Sequence, residues 1–158
     1  MEVIMNLIGN DRVSLGVCYY PEHWQEADWE NDLQRMLASG IETVRIAEFA
    51  WNLIEPREGS FDYAFFDRFL DVAEKTGMQV VFCTPTATPP AWLTKKYPEV
   101  LNATMEGVVY QHGFRRHYNY NSPKYQELCR RIVGRIAAHY ASRPCIVGWQ
   151  IDNEFNCE

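Results

Sequence analysis

Two periods alternate along the chain. Short apolar runs over residues 15–19, 43–47, 79–83 and 145–152 are bounded by glycine, proline and polar clusters, and predict strands. Between them the period lengthens to that of a helix. Trp29, Leu33, Met36 and Leu37 fall at i, i+4, i+7 and i+8, which predicts a helix from Asp28 that Gly40 closes. Phe65, Phe66, Phe69, Leu70 and Ala73 mark a second helix, with Asp62 as the offered N-cap and Gly77 at its end. Tyr125, Leu128, Ile132, Val133, Ile136 and Tyr140 mark a third, opened by Ser122 and Pro123 as N-cap and first helical residue. A short helix fits 91–96. Residues 97–121 show no clear period, and loops of that length are usually functional.

Strand and helix thus alternate, which predicts a parallel sheet with right-handed crossovers. Both a doubly wound sheet and a (β/α)8 TIM barrel satisfy that order. The long polar segments follow the strands, as the rim of a barrel requires. Four strands do not close an eight-stranded barrel, whose usual size is roughly 250 residues. On the barrel reading the chain is a lead-in over 1–14 and, over 15–158, the first four β/α units of a barrel truncated after strand four.

Composition narrows the function classes. The 158 residues are 47% hydrophobic and 14% aromatic, enough for one packed core. Fifteen basic against 21 acidic residues give a net charge of −6 without long charge blocks, which disfavours nucleic acid. No basic N-terminal region precedes an apolar stretch, and no window approaches 18 apolar residues, so a soluble, cytoplasmic protein off the membrane is expected. The five cysteines are odd in number and include no C-x-x-C pair, so they read as reduced thiols. Cys18, Cys83 and Cys145 lie in or beside predicted strands, where a thiol packs as a small hydrophobe.

The chemistry concentrates at the end of the fourth strand. Residues 145–152 predict a strand buried on both faces, and Asn153 and Glu154 sit at its tip. In a parallel barrel, residues at strand ends carry catalysis. Glycoside hydrolysis needs a carboxylic acid to protonate the leaving oxygen and a second carboxylate about 5–5.5 Å away when configuration is retained. Glu154 suits the acid, and the Asn153 amide suits a sugar hydroxyl beside the reacting carbon. Tyr19, Tyr20, Trp24, Trp51, Trp92 and Trp149 lie near strand ends, where aromatic rings stack on sugar faces or simply pack; packing is expected for most.

Four ordered motifs carry a resemblance. Gly16-Val17-Cys18-Tyr19-Tyr20-Pro21-Glu22-His23-Trp24, Val44-Arg45-Ile46-Ala47-Glu48-Phe49-Ala50-Trp51, Glu55-Pro56-Arg57-Glu58-Gly59-Ser60-Phe61-Asp62 and Gly148-Trp149-Gln150-Ile151-Asp152-Asn153-Glu154 resemble the glycoside hydrolase family 42 β-galactosidases. The likeness runs from about Leu15 to the end. It implies a retaining β-galactosidase on a (β/α)8 barrel, with Glu154 as acid/base and Asn153, Arg45 and Arg115 as galactose ligands. A planar guanidinium suits that task because its donors hold oxygen acceptors in fixed geometry. The residue reading of Arg45 leaves an ion pair with Glu48 open beside that role. The resemblance further implies a β-galactoside as substrate, no cofactor, and a homo-oligomer, possibly a trimer.

Two departures qualify the resemblance. Many family members hold a structural zinc with a cysteine at the position of Asn119 and three later cysteines; Asn119 offers no thiolate, so no metal is expected. The family's nucleophile is a glutamate near strand seven, which would lie beyond Glu158. Neither Glu22, Glu48 nor Glu55 is promoted to that role. Two alternatives therefore stand beside the β-galactosidase: a non-catalytic half-barrel or sugar-binding module, and a related glycosidase acting on α-L-arabinopyranosides.

Overall fold

The computed structural model describes residues 13–114 and 116–154. In chain order its elements are β1 (Leu15–Cys18), α1 (Trp29–Ala38), β2 (Ile41–Ile46), α2 (Trp51–Ile54), α3 (Ala64–Thr76), β3 (Gln79–Cys83), α4 (Ala91–Lys96), α5 (Pro123–Tyr140) and β4 (Ile146–Gln150). The four strands form one parallel sheet in the order β1-β2-β3-β4. Two compact units emerge. One holds the sheet with α1 and α3, from described residues up to 47 together with 63–83 and 140–151; the other comprises 48–62, 84–139 and the described residues from 152.

In the sheet unit, strand alternation separates an apolar face from a polar one. Val44, Ile46, Val80 and Phe82 are fully buried, as are Leu33 of α1 and Phe69, Leu70 and Ala73 of α3. Phe66 meets Phe82 edge-on at 5.5 Å, and Trp29 meets Phe69 edge-on at 5.3 Å. Edge-to-face rings of this kind add about 0.5–1.5 kcal/mol to the burial itself. The positions between carry Thr43, Arg45, Gln79 and Gln150. There the Thr43 hydroxyl donates to Gln79 Oε1 at 3.3 Å, and Arg45 Nη1 donates to Gln150 Oε1 at 2.5 Å.

Two glycines are needed where they stand. Gly77 caps α3 at φ 81°, a left-handed conformation that glycine adopts without steric cost. A Cβ on Gly16 would lie 3.1 Å from the Thr43 carbonyl oxygen, so β1 approaches β2 closely only because that residue has no side chain.

Several expectations are corrected. Asp62 does not cap α3: the N-cap is Tyr63 and makes no side-chain cap bond, while the Asp62 amide donates to the Ile54 carbonyl at 2.9 Å and is spent on the loop. β2 stops at Ile46 because Ala47 takes φ 67°. β4 is not buried on both faces; Trp149 is 38% exposed, because β4 is an edge of the sheet. The opposite edge exposes Cys18, whereas Cys83 and Cys145 are buried as expected. No helix among the described residues is long and apolar enough to cross a membrane.

The second unit is built on α5. Its N-terminus is capped as the sequence predicts, with the Tyr125 amide donating to Ser122 Oγ at 3.3 Å. Trp51, Ile54, Leu93, Val100, Leu128, Ile132 and Ile136 are its fully buried or nearly fully buried apolar side chains. The aperiodic segment is ordered by backbone pairing. Leu101 bridges Tyr118 and Ala103 bridges Val109, and the Asn102 amide donates to the His117 carbonyl at 2.8 Å.

Candidate active site

Past β4 the backbone turns left-handed twice, at Asp152 (φ 56°) and Glu154 (φ 47°). Neither is glycine, and such a conformation costs an L-residue roughly 1–2 kcal/mol, with Asp tolerating it better than Glu. The turn buries the Asp152 side chain, 5% exposed, and leaves Glu154 exposed with Asn153 between the two extremes. Sequence reasoning named Asn153 and Glu154, and the structure places them together at this tip.

What fixes the tip was not named in advance. Thr86 Oγ1 donates to Asp152 Oδ2 at 2.6 Å, and the Asp152 amide donates to Thr84 Oγ1 at 2.7 Å. Asp152 Oδ1 accepts from the Asn153 amide at 2.6 Å and, at 3.5 Å, from the Tyr120 hydroxyl. Arg116 donates from Nη1 to the Tyr120 hydroxyl at 2.8 Å and from Nη2 to the Asn153 carbonyl at 3.2 Å. The Tyr125 hydroxyl of α5 donates to the Thr86 carbonyl. Burial pushes Tyr118, Tyr120 and Tyr125 above the ordinary phenol value, so all three stay neutral donors at neutral pH. The sequence held one usable signal for this cluster, the threonines of the Thr84–Thr88 loop directly after a strand.

Arg115 lies outside the described residues. Its neighbour Arg116, itself at φ 54°, contacts the tip through the Asn153 carbonyl. Arg45 lies in the sheet unit on the polar face, paired with Gln150.

The other carboxylates divide by environment. Glu55 is fully buried and saturated: its carboxylate accepts from Trp51 Nε1 at 2.9 Å, from the Gly59 amide at 2.7 Å and from Arg131. Glu58 accepts from Lys96, the Tyr97 hydroxyl and Arg131, and the Lys96 hydrogen bond above all holds its carboxyl below the usual range. These two tie the 55–60 loop to α4 and α5 and do structural duty. Glu22 is raised above the ordinary carboxyl value by burial. Among the rings, Tyr19 is buried with its hydroxyl donating to Asp32 at 2.9 Å, and Trp51 is buried against Glu55, so both pack as expected. Asn119 uses its Oδ1 to accept from the Asn121 amide at 2.9 Å, a local turn. Among the described residues, no group of three or more His, Cys, Asp or Glu is arranged to hold a metal.

The family model described as Beta-galactosidase, glycoside hydrolase 42, matches residues 18–158. The chain belongs to glycoside hydrolase family 42. Within family 42 it is 48% identical over 143 residues to Beta-galactosidase Bga of Halorubrum lacusprofundi, covering 90% of this chain and 20% of that protein. It is likewise 48% identical to Beta-galactosidase BgaA of a Thermus species, covering 22% of it. The solved structure of the Halorubrum lacusprofundi enzyme superposes with a TM-score of 0.88 at 47% identity, over 92% of this chain and 22% of that one. This chain therefore spans about one fifth of the length of its family 42 relatives. Its four parallel strands in β/α alternation match the first part of the family 42 TIM barrel.

Proposed function

We propose that the chain supplies the acid/base half of a retaining β-galactosidase active site. Glu154 protonates the glycosidic oxygen as the bond breaks and then deprotonates the water that resolves the galactosyl intermediate. Asn153, Arg45 and Arg115 bind galactose, each taking that role from its place in a family motif. The nucleophile's role is given to none of Glu22, Glu48 and Glu55. The observation that carries the reading is the turn after β4: it buries Asp152 and exposes Glu154, while Glu55 is buried and fully engaged.

The test joins residues 15–154 to the remaining sequence of the Halorubrum lacusprofundi enzyme and compares Glu154 with Glu154→Gln. General acid–base assistance is worth about 10²–10⁴-fold. Turnover of a β-galactoside with a poor leaving group should fall by about that factor, and less for an activated aryl leaving group that departs without a proton. Equal turnover by both proteins on the poor leaving group refutes the assignment. Paired β-galactoside and α-L-arabinopyranoside substrates, run on the same hybrid, identify the preferred sugar.

A further inference from the structure

The reading above gives Glu154 a task and leaves open what aims it. Three residues in a row, Asp152 to Glu154, include two with positive φ, so the tip does not hold itself by local preference. A carboxylic acid that must meet a glycosidic oxygen within hydrogen-bond reach needs a fixed backbone beneath it.

The geometry points to Asp152 as the positioning residue of this site: its buried carboxylate, clamped by Thr86, fixes the left-handed turn that presents Glu154. Asp152 is too buried to reach a substrate, so its effect passes through the backbone. Its two oxygens each hold a different part of the frame. Oδ2 takes the Thr86 hydroxyl, and Oδ1 takes the amide of Asn153, the residue directly before Glu154. The Thr84 hydroxyl accepts the Asp152 amide from the other side. Arg116 then grips the far end of the turn through the Asn153 carbonyl. Tyr125 ties Thr86 to the long α5 helix, so the clamp is anchored in the core of its unit.

This arrangement calls for a side chain that accepts at both of its ends. Donors reach both oxygens, among them the Thr86 hydroxyl, the Asn153 amide and the Tyr120 hydroxyl. An asparagine still satisfies them in one orientation, because the Thr86 hydroxyl can turn to accept from its NH₂. Asp152→Ala removes both acceptors. Thr86→Ser keeps the clamping hydroxyl; Thr86→Val, of nearly the same shape, removes it.

The inference rests on the proposed role of Glu154 for its purpose but not for its structural content, and the experiment separates the two. On the 158-residue chain, amide order parameters at Asn153 and Glu154 are measured by NMR, with the β2 and β3 amides as the fold reference. In the unmutated chain and in Thr86→Ser the tip should sit near the rigid value of about 0.85. In Asp152→Ala and in Thr86→Val it should drop below about 0.6 while β2 and β3 hold. A tip already below that value in the unmutated chain, or one that stays rigid in both weakened variants, overturns the inference. If Asp152→Ala does not fold, the Thr86→Ser and Thr86→Val pair decides it alone. In the hybrid enzyme, Thr86→Val should lower kcat by about 10²-fold with KM nearly unchanged, the signature of misplacement. A rigid tip lost on mutation, in an enzyme indifferent to Glu154→Gln, would leave the turn standing and refute the catalytic reading instead.

Discussion

Replacing Glu55 by alanine should be among the most costly single changes in the second unit. The side chain has no exposed surface and serves three donors: Trp51 Nε1, the Gly59 amide and Arg131. Removing a buried acceptor leaves each neutral donor unsatisfied at about 1–3 kcal/mol, and breaking a buried ion pair costs about 3–5 kcal/mol in comparable cases. Arg131 keeps 28% of its side chain in solvent, so part of its charge is rehydrated and the lower end of that range applies. With the two neutral donors at their lower end of about 1 kcal/mol each, a loss of about 5 kcal/mol follows. For a chain of 158 residues the unfolding entropy is about 0.3 kcal/mol/K, which converts that loss to a Tm lower by about 15 °C. Urea titration followed by tryptophan fluorescence measures it, because Trp51 is both buried and bonded to the deleted carboxylate. Glu26→Ala is the control. Glu26 pairs with Arg68 at 2.6 Å but both side chains are about half exposed, and solvent screens an exposed pair so that it adds little. A Glu55→Ala variant no less stable than Glu26→Ala would refute the reasoning.

Acid should weaken the link between the 55–60 loop and α4. The folded-state pKa of Glu58 is depressed, chiefly by Lys96, so its contribution is present above the unfolded carboxyl value of about 4.3 and is lost as pH falls through the lower folded value. The stability gap between the unmutated chain and Glu58→Gln, read from urea midpoints, should be open at pH 7 and closed at the acid end; a gap independent of pH contradicts it. Native-state thiol labelling at pH 8 followed by peptide mapping should modify Cys18, which is exposed, well before Cys83, Cys129 and Cys145. Burial pushes Cys129 and Cys145 up to about 12, so neither is a thiolate at that pH. Labelling of Cys145 as fast as Cys18 would show that the sheet edge opens readily.

Periodicity carried the fold well because both periods have a physical cause that acts locally. The Trp29, Leu33 stripe, the Ser122-Pro123 opening and the glycine ending at Gly77 each appear where the spacing predicts them, since an apolar stripe, a cap and a left-handed residue are decided within a few positions. Strand β3 matches residue for residue for the same reason. The misses arise where a distant partner competes. Asp62 looks like a cap, but α3 starts at Ala64 and Tyr63 takes the cap position, and Cys18 and Trp149 look buried until the sheet is seen to stop beside them.

The same distinction runs through the site. The exposed place of Glu154 after β4 was legible because a polar residue at the tip of a predicted strand is a local fact. Asp152 was not, although it is two residues away. Along the sequence it reads as the polar end of an apolar run, and its role depends on Thr86, 66 residues earlier, and on Tyr120, 32 residues earlier. Alternation along an extended strand sends 152 and 154 to the same side, and the left-handed residue breaks that rule. One carboxyl is thereby turned inward among hydrogen-bond donors and the other outward to solvent. Two acids of nearly identical local sequence context acquire opposite environments, and that difference, set by backbone dihedral rather than by residue type, is what separates the frame of the site from its chemistry.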